Sequence, residues 1–443
     1  VRVGHLPIVS PHGHADAGWF AGNEPFEDPV SLLLWPDHYL LRMLYSQGIG
    51  FGALGLAGGP GPLQSDRRAI WREFARHYYL YRGTPSRIWL DHTFSQVFEL
   101  SVALDETTAD DYYDHIQAKL AEPGFRPRAL FERFNIEVLA TTEGATDALS
   151  SHRAIAESGW RGRVITTFRP DDVVDPSRAD FLANLATLEQ QTGESVARWR
   201  GYLAALARRR EFFRAAGATA TDHGHPTAAT ADLSRVQCQR LLDRIRRGNA
   251  RSGDHELFRA QMLTEMAAMS CEDGMVMQLH AGSWRNHNAA LFSHYGRDRG
   301  ADIPTAMTYV DALKPLLDRF GNRADFTLIL FTLDESSYSR ELAPLAGHYP
   351  CLRLGPAWWF HDSVEGMLRY RRLTTETAGF YNTVGFNDDT RAFLSVPARH
   401  DLARRIDCAY LAELVMTHRL QRDEAEELAQ ELSYALAKRA YRL

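Results

Sequence analysis

Eight short apolar runs, most of them followed by polar residues and separated by helix-like sequence, constrain this chain more than any other feature. They are "LPIVSPHGH" (6–14), "NIEVLATTE" (135–143), "GRVITTFRP" (162–170), "GATATDHG" (217–224), "MVMQLHAG" (275–282), "FTLILFTLD" (326–334), "CLRLGPAWW" (351–359) and "TVGFNDD" (383–389). Runs of strand length that do not alternate apolar with polar residues suit strands buried on both faces, as in a parallel sheet. Amphipathic stretches such as "DALSSHRAIAESG" and "FRAQMLTEMAAMSCEDG" lie between them. A β-α unit repeated eight times predicts an α/β fold, a (β/α)8 TIM-type barrel, with an open doubly wound sheet as the alternative. One connection breaks the rhythm, because residues 21–134 hold helix-like segments such as "DRRAIWREFARHYYLYRG" and no comparable strand. A structureless loop of that length does not suit a compact domain, so a helical insertion subdomain (21–134) is predicted between strands 1 and 2. The catalytic barrel is then built from residues 1–20 and 135–443.

Composition narrows the class of function. The chain carries a net charge of −6, and basic runs such as "ARRRE" (207–211) lack interleaved aromatics, so no nucleic-acid partner is expected. No apolar stretch approaches the roughly 18 residues that span a bilayer, so no membrane partner is expected either. Cys238, Cys271, Cys351 and Cys408 are scattered without C-x-x-C spacing, and no secretory-type segment precedes the first strand. That pattern reads as reduced thiols in a cytoplasmic protein. A homo-oligomer is left open.

In a TIM-type barrel the chemistry gathers where strands end. There the predicted strands deliver His12 and His14, then Thr141, Thr142 and Glu143, then Arg169, Asp222 with His223, His280, Asp334, Trp358 with Trp359, and finally Asp388 with Asp389. In an extended strand residues i and i+2 face the same side, so His12 and His14 can offer two imidazoles to one ion. Imidazole suits zinc, and a carboxylate as third ligand leaves a position open for substrate. A lone H-x-H is weak evidence, since "HGH" recurs at 223–225. The first pair gains weight from position, because strands one and eight adjoin in a closed barrel and strand eight ends in Asp388-Asp389. His223 is read as a buried histidine outside the metal set. Lysine occurs only at 119, 314 and 438, none of them at a strand end. A Schiff-base lysine and a carbamylated bridging lysine are therefore excluded, and a single metal ion is favoured.

The segments "HGH" (12–14), "LWPDHYLLRMLYSQGI" (34–49), "TTFRPD" (166–171), "MQLHAGSWRNHN" (277–288), "GPAWWFHDSVEGM" (355–367) and "DTRAFLSVPARH" (389–400) together resemble the uronate isomerase, or glucuronate isomerase, family of the amidohydrolase superfamily. The resemblance extends over essentially the whole chain. It implies aldose–ketose isomerisation of a hexuronate, D-glucuronate to D-fructuronate or D-galacturonate to D-tagaturonate, in glucuronate catabolism. It implies that His12, His14 and Asp389 hold one divalent ion, zinc, and that Asp389 also shuttles a proton between C2 and C1. His38 and Arg391 would join Asp389 in catalysis. Arg169, His280, Arg285, Trp358, Trp359 and Tyr39 would bind the substrate, a guanidinium fork being suited to a carboxylate.

Without the resemblance these residues have plainer readings. His38 and Tyr39 could pack a helix, the tryptophan pair could be core, and Arg285 and Arg391 could be rim ion pairs. The chain also departs from the family pattern, with Glu143 where T-T-D is usual and "HADAGWFAG" where "HLSP" follows the first histidine pair. These departures bear on the choice of substrate more than on fold or metal. The alternative function is a mononuclear metal-dependent hydrolase of the same superfamily, acting on a lactone or amide of an acidic sugar.

Overall fold

Parallel strands that are apolar on both faces need helices outside and packed side chains inside, and this chain provides both. The computed structural model describes residues 3–443, so the first two residues of the predicted N-terminal barrel segment lie outside the described residues. In chain order the strands are β1 (Ile8–Ser10), β2 (Ile136–Gly144), β3 (Val164–Arg169), β4 (Ala220–His223), β5 (Val276–Ala281), β6 (Ser283–Trp284), β7 (Ile303–Pro304), β8 (Leu328–Thr332) and β9 (Leu352–Leu354). Seven of them form one sheet in the order β1-β2-β3-β4-β5-β8-β9, and every pairing in it is parallel. The order is sequential and curls into the barrel that the eight runs predicted.

Three details differ from the sequence-based expectation. The eighth run forms no full strand; Thr383 makes an isolated parallel bridge to Leu354, and the chain then continues irregularly to Asp389. The seam closes instead through the His14 N–H donating to the Thr390 carbonyl at 3.0 Å. Strand β1 stops at Ser10, so His12 and His14 sit on the segment after it rather than within it. The β6–β7 hairpin was not foreseen, because two-residue strands carry no periodic signal.

Inside the barrel Val9, Val138, Ala140 and Ile165 pack with Ala437. Ala220, Val276, Ile329, Phe331 and Val384 pack with Tyr441. Both outside partners belong to the C-terminal helix Leu436–Tyr441, whose Lys438 pairs with Glu137 at the start of β2. That helix therefore covers the end where strands begin, leaving the strand-end face for the site.

Between β1 and β2 the chain is helical, including Ala17–Gly22, His38–Ser46, Arg67–Arg76, Pro85–His92, Ala109–Leu120 and Pro127–Arg133. Phe20, Leu40, Leu44, Trp71, Phe74, Ile116 and Leu130 pack together there, and Phe393 of the barrel side joins them. Each such buried side chain contributes about 1.5–3 kcal/mol of apolar burial, and shared packing anchors this layer beside the barrel mouth.

Candidate active site

A cavity of about 600 Å³ opens at the strand-end face, and its lining includes His12, His14, His38, Tyr39, Arg169, His280, Arg285, Trp358, Trp359, Asp389 and Arg391. Every side chain that the family resemblance assigns to the site thus reaches one space. His223, Glu143, Asp334 and Asp388 do not line it; Asp334 instead accepts the Met307 N–H at 2.9 Å and ties down a loop.

Local chemistry explains how each element arrives there. Gly13 separates the two histidines because a side chain at that point would press within 3.3 Å of the Ala140 carbonyl. The Gly13 carbonyl accepts the Thr142 hydroxyl at 3.0 Å, which pins the loop to β2. Asp37 caps the helix His38–Ser46, its carboxylate accepting the Tyr39 N–H at 2.9 Å and the Leu40 N–H at 3.3 Å. The first two residues of that helix, His38 and Tyr39, are thereby held at the cavity wall. Asp389 has φ of 39°, a left-handed backbone that costs a non-glycine residue about 1–3 kcal/mol. Its neighbours enforce this conformation: His400 bonds the Asp388 carboxylate at 3.0 Å, and the Thr390 hydroxyl meets Ser395 at 3.1 Å.

The result is a convergent donor set. Nε2 of His14 lies 3.1 Å and Nε2 of His12 3.4 Å from Oδ1 of Asp389. That oxygen is buried and makes no hydrogen bond, while Oδ2 accepts the indole N–H of Trp358. One ligand atom from each of the three residues falls within 4.8 Å of the others, so this group can hold a metal ion. Burial would raise the Asp389 carboxyl, but His12 and His14 outweigh it and hold it well below the usual carboxylate range. Burial lowers His14, whereas Asp222 and Asp389 outweigh burial at His12 and raise it.

Around this group the cavity is lined by arginines, of which Arg169, Arg285 and Arg391 are each held by a carboxylate. Arg169 lies 2.8 Å from Asp171 and 3.4 Å from Asp222, and Asp222 also contacts His280 at 2.9 Å. Arg285 pairs with Asp302 at 2.7 Å and stacks over the Trp359 ring at 4.9 Å; Arg391 pairs with Asp298 at 3.2 Å. Arg285 and Arg391 remain more than a third exposed, with guanidinium nitrogens free for an anionic ligand. His38 is pushed down to about 3 by burial and by Arg391, so it is a neutral imidazole, and its buried Nε2 has no hydrogen-bond partner.

The sequence reading missed several residues here. Asp298 and Asp302 lie in the segment spanning the β6–β7 hairpin, and nothing periodic marks them. Arg399, which lines the cavity, stacks on Trp89 at 3.5 Å and pairs with Asp362. Gln278 on β5 faces His12 at 3.4 Å and accepts the Tyr441 hydroxyl at 2.9 Å. For Gln278 a signal did exist, because a polar residue inside a buried run is itself informative.

Comparison with known proteins covers the whole chain. The glucuronate isomerase family model matches residues 2–441. The chain is 63% identical over 439 residues to a uronate isomerase of Mesorhizobium japonicum, covering 99% of this chain and 94% of that protein. It is similar in structure to glucuronate isomerase from Caulobacter crescentus, with a TM-score of 0.97, 59% identity, and coverage of 99% of this chain and 92% of that one. Uronate isomerase from Thermotoga maritima matches with a TM-score of 0.93 at 25% identity, covering 99% of this chain and 95% of that one. With the site assembled and the match running end to end, the chain belongs to the uronate isomerase family and is an aldose–ketose isomerase.

Proposed function

We propose that the protein isomerises a hexuronate between its open-chain aldose and 2-ketose forms, using one divalent ion held by His12, His14 and Asp389. The observation that carries this reading is Oδ1 of Asp389, buried without a hydrogen bond between two imidazole nitrogens. An unsatisfied buried carboxylate oxygen is costly unless a cation meets it. Two imidazoles and one carboxylate suit zinc and leave coordination positions for sugar oxygens. When bound, the ion polarises the carbonyl and adjacent hydroxyl of the substrate.

The side chains then divide the work. Arg285 and Arg391 hold the sugar's carboxylate, each guanidinium oriented by its own aspartate. Trp358 and Trp359 offer indole faces to the ring-carbon side of the chain, and Arg169, His280 and Tyr39 meet the hydroxyls. Asp389 carries the proton between C2 and C1, and the neutral His38 donates to the oxygen on which negative charge develops. Family membership does not favour the hydrolase alternative. No helix among the described residues is long and apolar enough to cross a membrane, and the four cysteines are free; we place the enzyme in the cytoplasm.

Incubation of zinc-loaded protein with D-glucuronate or D-galacturonate in deuterated water, followed by NMR at C1 and C2, tests this. Ketose formation without net hydrolysis is the expected outcome, and any deuterium at C1 measures how far the proton held by Asp389 exchanges with solvent before it is returned. Failure to turn over either hexuronate, alongside hydrolysis of a lactone, would overturn it.

A further inference from the structure

At the ends of β3 and β4, partly behind the cavity wall, lies a second group of histidines and a carboxylate. One ligand atom from each of Asp171, His223 and His225 falls within 4.8 Å of the others. We propose that these three residues form a second divalent-cation site of zinc-type chemistry, separate from His12, His14 and Asp389.

The unusual feature is His225. It is 4% exposed, yet neither ring nitrogen has a hydrogen-bond partner among the described residues. Buried polar groups are almost always satisfied, and a buried imidazole with both nitrogens unpaired keeps a lone pair available to a metal ion. His223 is fully buried, and its Nε2 lies 3.0 Å from the Thr221 hydroxyl while Nδ1 has no partner. A proton on Nε2, given to Thr221, leaves the lone pair of Nδ1 free. That arrangement of one nitrogen oriented and the other open is how ligating histidines are usually held.

Asp171 completes the set without being consumed by its own contacts. Arg169 takes Oδ2 at 2.8 Å, and the Gly224 N–H reaches the two oxygens at 3.1 and 3.2 Å. Oδ1 is left facing Nε2 of His225 at 4.0 Å. Two ligands on one tetrahedral zinc at about 2.1 Å lie roughly 3.4 Å apart, so little closure is needed. The charges acting on the group comprise four carboxylates, Asp171, Asp175, Asp222 and Glu256, against three guanidinium groups, Arg169, Arg210 and Arg259, a balance that leaves room for a cation. Access is provided by Asp171, Gly224 and His225, which all line the cavity. Imidazole ligands favour zinc or its neighbours over magnesium or calcium, and no residue is shared with the first group. A bound ion would fix Asp171 and, through it, the orientation of Arg169.

Metal stoichiometry tests this without reference to turnover. Chelator-stripped full-length protein is dialysed against zinc or cobalt(II) and analysed for bound metal, and the cobalt absorption band is recorded. Wild type is expected to retain two equivalents, H225A one, and the double variant H12A/H14A one with a different cobalt spectrum. H223Q, which keeps a polar side chain in the buried position, is expected to match H225A. One equivalent in the wild type, or two in H225A, would overturn the proposal.

Discussion

The indole N–H of Trp358 donates to Oδ2 of Asp389, so a residue that looks like core in the sequence fixes which carboxylate oxygen faces the two histidines. Trp358 is 5% exposed and packs edge-on against Phe331, which makes it a rigid donor. Outer hydrogen bonds of this kind typically change metal affinity or activity by 10–100-fold. Trp358→Phe, which keeps most of the packing, is therefore expected to lower kcat by about 10–100-fold with little change in Tm. Unchanged kcat would refute the role.

Asp389→Asn removes the anionic ligand and the proton carrier together. Turnover is expected to fall below detection, and zinc retained after dialysis should fall with it; near-normal activity would refute the assignment.

The pairing of Arg391 with Asp298 at 3.2 Å orients a planar fork that a lysine cannot reproduce. Arg391→Lys is expected to raise KM for the hexuronate by about tenfold or more, with a smaller change in KM for a neutral aldose. Steady-state kinetics with both sugars distinguishes loss of carboxylate recognition from general damage.

Glu143 is pushed up to about 7 by burial, while the Thr166 hydroxyl donates to it and His152 lies 3.8 Å away. A carboxyl whose folded value exceeds its unfolded one supports the fold while protonated, and that support is lost as pH rises from the ordinary glutamate range through about 7. The loss is at most about 3 kcal/mol. Glu143→Gln should therefore gain stability relative to wild type between pH 5 and pH 8 in denaturation experiments. A difference independent of pH would show that Glu143 is already ionised.

Gly224 has no room for a side chain, since a Cβ there would meet Arg169 at 2.2 Å, His280 at 2.7 Å and Asp171 at 2.9 Å. Gly224→Ala is expected to displace those groups and cut kcat/KM by about 100-fold while leaving the far-UV circular dichroism unchanged. Wild-type kinetics would mean that the three side chains move aside without consequence.

Much of the barrel was legible because burial on both faces leaves a signature of short unbroken apolar runs, and all but the last of them became strands of the sheet. The eighth was not, because the segment after Thr383 is held by buried polar contacts such as Asn387 with Tyr441 at 3.2 Å rather than by a ladder. Strand order set His12 and His14 beside Asp388-Asp389, and the family resemblance singled out Asp389 as their partner. Asp298, Asp302 and Arg399 were not legible, since a charged residue in an irregular segment looks the same whether it faces solvent or a cavity.

By itself the sequence determined the period of the β-α units, the residue types at the strand ends and the absence of a strand-end lysine, because these depend on local order along the chain. Tertiary structure alone decided that Asp389 adopts a left-handed backbone, that Trp358 donates to it, and that His225 is buried with both nitrogens free. Those facts depend on which distant segments close over a residue, and no local pattern of polarity encodes that closure.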